Sequence, residues 1–414
     1  MKGLLDRIDT GRAEDVVHEI RNALDCGIDR TTIYHFLYLD VHRMGLNDRR
    51  ATVISDAMRL LVSDRIESPL RSDCFDILYA WIVRHSAFFC DRTFMRPREE
   101  AIDQLKRQIT EDAERFGVLP IHLLYLGSCA YMSLEYEAAK TLFDGAIKAR
   151  TKEVGLRFYN MGAGTFVPPL VKFVKSGLTE FNHAGTSIRK VDGRKTAIFT
   201  ADVKYARAFA PAIIRKFSEQ NAEAALHFHI INPDGMILDE ILLEASLRKR
   251  KVGVSTEDTD IVDSAYYAMA RLFKLPFLLE ATSGDIVVFD IDVDIKHSVD
   301  SYFAALGEAD VSLLYNNRWH RAFPWLSVSA GAVYLARSNH GKGFGKFVAS
   351  QASTHFDTQI KAPRLWTDQN LLSFCDRLYR VWHPDAVFVN SRAVKMPWTH
   401  DIAYQRKLLG CNPS

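Results

Sequence analysis

After Gly193 the chain changes texture, and this change constrains the fold more than any other feature. Short apolar runs at residues 196–200, 226–232, 286–290, 309–314, 330–335 and 386–389 read as strands. Helical segments lie between them, notably at 206–219, 260–273 and 368–378. Such alternation predicts an α/β domain with a largely parallel central sheet, whose ligand site lies at the carboxyl ends of the strands. Before about residue 155, apolar residues instead recur at three- and four-residue spacings, as in Val53, Met58, Leu61 and in Leu123, Leu126, Ala130. That is a helical period. Between the two regions, Gly162, Gly164, Pro168, Pro169, Gly177, Gly185 and Gly193 break any long helix. The expected organisation is a helical domain over 1–155, a linker or connecting layer over 156–193, and an α/β domain over 194–414.

Composition narrows the classes of function. A chain of 414 residues with 48% hydrophobic and 25% charged residues is neither disordered nor a coiled coil. Lys and Arg number 53 against 51 Asp and Glu, a net charge of +2, so nucleic acid is not an expected partner. The six cysteines are scattered without a Cys-x-x-Cys pair, which predicts buried free thiols and a reducing cytoplasm rather than a zinc ribbon or disulfide framework. No long apolar core follows Met1-Lys2-Gly3, so no signal peptide is expected. Apolar runs such as 286–289 fall far short of a membrane span. The expected location is cytoplasmic, with peripheral attachment at the inner face of a membrane left open.

The sharpest chemical feature is the run Ile286-Val287-Val288-Phe289-Asp290-Ile291-Asp292-Val293-Asp294. An apolar strand ends in carboxylates two residues apart. Alternate strand residues share a face, so Asp290 and Asp292 are expected to converge. Two carboxylates at one point repel unless a cation lies between them, and oxygen ligands suit Mg²⁺ or Mn²⁺. The alternative is a solvated strand end. His227 and His229 alternate with apolar neighbours and read as structural. The stretch Asn316-Asn317-Arg318-Trp319-His320-Arg321, with Trp325 following, reads either as a sugar-stacking loop or as a plain surface loop.

Two enzyme classes place Asp-x-Asp after such a strand: haloacid-dehalogenase phosphatases, where that strand opens the catalytic domain, and nucleotide-sugar glycosyltransferases of the GT-A type. Here two strands and a helix precede it, which favours the second. Four further motifs resemble the retaining family that includes glycogenin and the lipooligosaccharide galactosyltransferases. Phe199-Thr200-Ala201-Asp202-Val203-Lys204-Tyr205-Ala206 is similar to that family's first strand, turn and helix, Tyr267-Ala268-Met269-Ala270-Arg271-Leu272 to its arginine-bearing helix. Ser329-Ala330-Gly331 is similar to its Asn-Ala-Gly strand, with Ser for Asn, and Thr367-Asp368-Gln369 to its Asp-Gln helix start.

The resemblance covers about residues 194–390 and implies a GT-A domain that moves a hexose from a nucleotide diphosphate sugar, with UDP as the expected nucleotide. It implies retention, Mn²⁺ or Mg²⁺ as cofactor, and a glycan, lipid-linked or protein acceptor. Thr200, Ala201, Asp202 and Tyr205 would hold the nucleoside, Ser329 and Gly331 would leave room for the sugar, and Arg271 would reach the donor. Asp368 and Gln369 would orient the sugar, while Asp290 and Asp292 would bind the metal. The family closes with His-x-x-Gly-x-x-Lys-Pro-Trp, whereas this chain has Lys395-Met396-Pro397-Trp398-Thr399-His400. Lys395 is displaced by one residue but could still meet phosphate, and His400 could serve as third metal ligand from the other side of Trp398. The altered tail keeps open an inactive α/β half that serves as an interaction module.

In the helical region, Leu123, Leu126, Gly127 and Tyr131, followed by Tyr136, Ala138, Ala139, Phe143 and Ala146, resemble one tetratricopeptide unit. The expectation is a helical-repeat-like domain that binds the acceptor, with a non-repeating bundle as the alternative.

Overall fold

The computed structural model describes residues 4, 8–9, 11–43, 49–64, 66–85, 99–149, 186–220, 222–261, 264–315, 327–357 and 367–410. They fall into two compact units. The first is all helical: α1 (Ala13–Asp25), α2 (Arg30–Arg43), α3 (Arg49–Ser63), α4 (Ser68–His85), α5 (Glu99–Phe116), α6 (Pro120–Met132) and α7 (Tyr136–Lys148). Helices α6 and α7 form the hairpin expected from their small and large residues. A Cβ on Gly127 would come within 2.8 Å of the Phe143 ring, so only glycine lets the ring lie against the α6 backbone. One hairpin does not establish a repeat. Cys74 and Cys129 are buried free thiols in this unit, whereas Cys26 is exposed.

The second unit contains β1 (Thr186–Arg189), β2 (Lys195–Asp202), α8 (Val203–Glu219), β3 (Ala225–Ile231), α9 (Ile237–Leu247), β4 (Val252–Glu257), α10 (Ser264–Phe273) and α11 (Leu275–Ala281). It continues with β5 (Asp285–Asp290), β6 (Asp294–Ile295), α12 (Val299–Leu306), β7 (Val311–Tyr315), β8 (Val328–Leu335) and α13 (Asn339–Asp357). The last elements are α14 (Thr367–Trp382), β9 (Phe388–Asn390), β10 (Trp398–Thr399) and α15 (Ile402–Leu408).

Eight strands form one sheet in the order β1-β4-β3-β2-β5-β8-β7-β9. The expectation of a largely parallel sheet needs correction, because the sheet is mixed. Strands β4, β3, β2 and β5 run parallel, but β1 and β8 pair antiparallel with their neighbours, as do β7 and β8. Two strands, β1 and β4, carry no strand expectation from the sequence, and β1 lies within the segment read as a connecting layer.

Alternation along the central strands sorts the side chains between two faces. Phe228, Phe199 and Phe289 stand in register on β3, β2 and β5, with neighbouring rings 5.9 and 5.4 Å apart. They belong to a core shared with Phe209 and Ile213 of α8, Ile241 of α9 and Tyr302 of α12. Each such buried ring contributes roughly 1.5–3 kcal/mol. One residue further along, His229, Thr200 and Asp290 form the next row and face the opposite side. Helices α10, α11, α13 and α14 pack against strands of the sheet, and α10 carries Arg271.

The strand order also fixes where a ligand can enter. From β2 the chain builds outward through β3 to β4, and β5 is then added on the other side of β2. The order therefore reverses between β2 and β5. Crevices at such switch points, outside the carboxyl ends of the strands, are where open α/β sheets bind ligands. β2 ends in Asp202 and β5 in Asp290.

Candidate active site

The carboxylates converge, though not by the route the sequence suggests. β5 ends at Asp290, and Ile291 and Asp292 lie in a turn rather than in a continuing strand. The turn leads to β6, which pairs antiparallel with β10, Asp294 opposite Thr399 and Ile295 opposite Trp398. This two-residue ladder carries the C-terminal segment back across the end of β5, and the Trp398 ring seats against Phe289 at 4.8 Å. His400 follows directly. Asp290, Asp292 and His400 each bring a ligand atom within 4.8 Å of the other two.

The third acid of the run does a different job. Asp294 is buried and is held by Lys216 and Lys296. Burial opposes its ionisation, but the hydrogen bonds from the two lysines outweigh that and keep its pKa below the ordinary range. It anchors the β6 turn, leaving Asp290 and Asp292 as the acids at the mouth. Asp292 is fixed by Gln405 of α15, whose Nε2 donates to its Oδ2 at 3.0 Å and to its carbonyl at 3.2 Å. Nothing in the sequence pattern marks Gln405 for this role, since its partner lies far away along the chain.

Arg271 ties the site together. Its side chain is only 6% exposed, with Nη1 paired to Asp290 Oδ1 and Nη2 donating to Asp368 Oδ2 at 2.9 Å. The same Nη2 reaches the Ala330 carbonyl at 3.1 Å. The two oxygens of Asp290 are thus divided: Oδ1 meets the guanidinium, while Oδ2 faces His400 Nε2 at 4.0 Å. Burial raises the pKa of Asp290, Arg271 lowers it, Asp292 raises it and His400 lowers it, with a net rise. Asp368 is also shifted up, by burial and then by Asp290, against the pull of Arg271. Carboxylates crowded to this degree gain from a further cation.

Gly331 on β8 explains why a small residue is needed there. A Cβ at this position would lie 2.8 Å from His400 Nε2 and 3.6 Å from Asp290 Oδ2. The space it leaves is occupied by the imidazole, beside the carboxylate. Two carboxylates and one imidazole make a donor set that suits Mn²⁺ and, less well, Mg²⁺.

On the other side of the switch point, Asp202 caps α8 by accepting the Tyr205 backbone N–H at 2.8 Å. The Tyr205 ring is 36% exposed and stacks on Phe209 at 5.9 Å. Thr200 lies beside Asp290 in register, with its hydroxyl buried and lacking a hydrogen-bond partner among the described residues, and Ala201 is buried. Ser329 is half-buried on β8, next to the Ala330 carbonyl that receives Arg271. Gln369 follows Asp368 at the start of α14, and its backbone N–H donates to Asp368 Oδ1 at 2.8 Å. Lys395 is exposed and is not brought to the cluster by any contact among the described residues. His227 and His229 are fully buried and share the Ser255 hydroxyl, as a structural role predicts. The basic-aromatic loop 316–321 with Trp325 lies outside the described residues.

No protein-family model matches the chain, and no curated protein does. Among solved structures, 48% of the chain is similar to 46% of the glycosyltransferase GlyE of Streptococcus pneumoniae TIGR4, at 16% identity and a TM-score of 0.31. A similarity over 49% of this chain and 74% of the other is found to the galactosyltransferase LgtC, solved with donor and acceptor sugar analogues, at 18% identity and a TM-score of 0.35. The bifunctional glycosyltransferase WbbM matches over 68% of this chain and 58% of its own, at 11% identity and a TM-score of 0.34. The chain thus spans less than half the length of GlyE and somewhat more than half that of WbbM. Among the described residues, no helix is long and apolar enough to cross a membrane.

Proposed function

We propose that the α/β unit is a GT-A glycosyltransferase that takes a hexose from a nucleotide diphosphate sugar, with UDP as the nucleotide. The observation that carries this reading is the meeting of Asp290, Asp292 and His400 at the switch point, one strand away from the cap formed by Asp202. A diphosphate needs counter-charge at the metal end and a flat contact at the nucleoside end. The Asp290, Asp292 and His400 group would hold Mn²⁺ or Mg²⁺, which supplies charge stabilisation to a leaving diphosphate. The exposed Tyr205 ring offers the flat contact, with Asp202 beside it to accept from the base.

Arg271 and Asp368 form the inner wall. Their ion pair holds the Asp368 carboxylate in place; Oδ1, which accepts from the Gln369 N–H, has its second lone pair for a sugar hydroxyl. Of the two small residues, Ser329 keeps that wall low for a hexose, whereas the space at Gly331 is taken by the His400 imidazole. The order of strands speaks against the phosphatase alternative, because β5 is added after four other strands. Retention of configuration and a glycan, lipid-linked or protein acceptor belong to the same proposal, with the helical unit as the candidate for binding the acceptor.

Calorimetry of UDP binding by the full chain tests the reading, first with Mn²⁺ and then with excess chelator. Binding is expected with Mn²⁺ and its loss is expected with chelator. Equal affinity in both conditions would refute the metal role, and no binding in either would refute the donor.

A further inference from the structure

A second group of ligand-type side chains lies away from the β2/β5 crevice. His340 stands at the start of α13, and His383 and Asp385 lie in the turn that follows α14. Each offers a ligand atom within 4.8 Å of the other two. His340 Nε2 and Asp385 Oδ2 are 3.0 Å apart, and the His340 and His383 rings lie 5.6 Å from centre to centre. We propose that His340, His383 and Asp385 form a Zn²⁺ site that clips the end of α14 to the start of α13.

The chemistry of the donor set selects the ion. Two imidazoles and one carboxylate suit a borderline cation such as Zn²⁺, whereas Mg²⁺ prefers oxygen ligands. Zn²⁺ holds nitrogen and oxygen ligands at roughly 2.0–2.2 Å in a tetrahedron, which puts the ligand atoms about 3.3 Å apart. The His340 and Asp385 atoms, 3.0 Å apart, are close to that spacing, and a His383 ligand atom lies within 4.8 Å of both. A hydrogen-bonded pair alone would need only His340 and Asp385; it is His383 that completes a set of three. The fourth position is open to water, since Asp385 is 74% exposed.

One tyrosine braces the His383 imidazole and the His340 backbone. The Tyr379 ring packs against His383 at 4.3 Å, and its hydroxyl donates to the His340 carbonyl at 3.1 Å. Glycine at 343 makes this possible, because a Cβ there would collide with the Tyr379 hydroxyl. The turn is fixed as well. The His383 N–H donates to the Tyr379 carbonyl at 2.8 Å, and the Ala386 N–H donates to the His383 carbonyl at 3.1 Å. Support of this kind around the ligands raises metal affinity by holding them in place. On binding, Zn²⁺ would take the place between His340 Nε2 and Asp385 Oδ2, with the neutral imidazole carrying its ring proton on Nδ1.

Zn²⁺ calorimetry on the full chain, free of any histidine tag and in excess Mg²⁺, tests the site. An Asp290→Asn variant separates it from the β2/β5 cluster and should retain the Zn²⁺ event. His383→Ala and Asp385→Asn should each weaken that event roughly tenfold or more, since even losing a supporting partner of a ligand costs 10–100-fold. Asp385 is exposed, so its substitution leaves folding intact, and circular dichroism checks this. Co²⁺ in place of Zn²⁺ should give the visible absorption of a tetrahedral nitrogen–oxygen site and lose it in both variants. Zn²⁺ affinity unchanged in the two variants, no Zn²⁺ binding by the parent chain, or an event abolished by Asp290→Asn would each overturn the proposal.

Discussion

Replacing Gly331 by alanine tests the geometry of the proposed metal site with one methyl group. The added Cβ would stand 2.8 Å from His400 Nε2, against the 3.4 Å or more of an ordinary contact. The imidazole must therefore retreat by about 0.6 Å, while metal–ligand distances tolerate only about 0.2 Å. Asp290 Oδ2, at 3.6 Å, already sits at contact distance and need not move. The perturbation is thus directed at one ligand of three. His400 is 44% exposed and can swing outward, so folding stability should change by no more than about 0.5 kcal/mol. Mn²⁺ affinity should fall roughly 10–100-fold, or about 1.4–2.7 kcal/mol. Electron paramagnetic resonance of free Mn²⁺ measures this directly, and thermal unfolding checks the fold. The decisive comparison is with His400→Ala, which should lose a similar amount. In that background Gly331→Ala should be silent, because the group it displaces is already gone. A further loss in the double variant, or no loss in Gly331→Ala alone, would refute the assignment of His400.

Two other outcomes follow from the structure. Tyr205→Ala should weaken UDP binding by roughly 1–3 kcal/mol, the range for base–aromatic stacking, with Mn²⁺ affinity unchanged; calorimetry of both ligands on the folded variant reads it. His227 should make the α/β unit less stable in mild acid than a side chain that does not titrate would, because burial, with His229 adding to it, pushes the His227 pKa down to about 3. An unfolded histidine near 6.5 binds a proton that the folded one refuses, so this stability is full above pH 6.5 and declines as pH falls toward 3. The slope is roughly 1.4 kcal/mol per pH unit, or about 2 kcal/mol lost by pH 5. Denaturant unfolding of the parent chain and of His227→Gln at pH 7 and 5 measures it as the difference between their two pH dependences, and equal dependences would refute it.

The sequence made legible those parts of the site whose signals are local. Asp290 follows four consecutive apolar residues, Asp202 precedes a helix it can cap, and Asp368 opens another helix, so each could be placed by its neighbours alone. Arg271 was legible as a member of a helical motif, but its buried bridge between Asp290 and Asp368 depends on three elements meeting. Strand β4 leaves no apolar run because one of its two buried faces carries Gly253, Ser255 and Glu257, the last two hydrogen-bonded or charge-paired inside the fold rather than apolar. The mixed direction of the sheet is likewise invisible to a local pattern, since β8 alternates in the same way whichever direction its neighbours run. His400 is the clearest case. Its approach to Asp290 rests on a ladder of two residues per strand, too short to leave any period in the sequence.

The division of Asp290 between two partners bears on how a site this acidic can be both stable and receptive. Two carboxylates, Asp290 and Asp368, share one guanidinium, and a third, Asp292, brings a ligand atom within 4.8 Å of Asp290. Without Arg271 the partly buried Asp290 and Asp368, 24% and 13% exposed, would lose the guanidinium they share; breaking a fully buried pair costs roughly 3–5 kcal/mol, and this partly exposed one costs less. Arg271 therefore makes the fold tolerate the acids. Had it taken both oxygens of Asp290, a cation would have to displace it. It takes only Oδ1, and Oδ2 stays turned toward His400 and the space above Gly331. Asp292 is likewise held through one oxygen, by a neutral amide from Gln405 rather than by a lysine. The lysines of the region are spent on Asp294 instead. The charges that stabilise the fold and the oxygens left for a ligand are thus different atoms of the same few side chains, and a divalent cation can be added without breaking an ion pair.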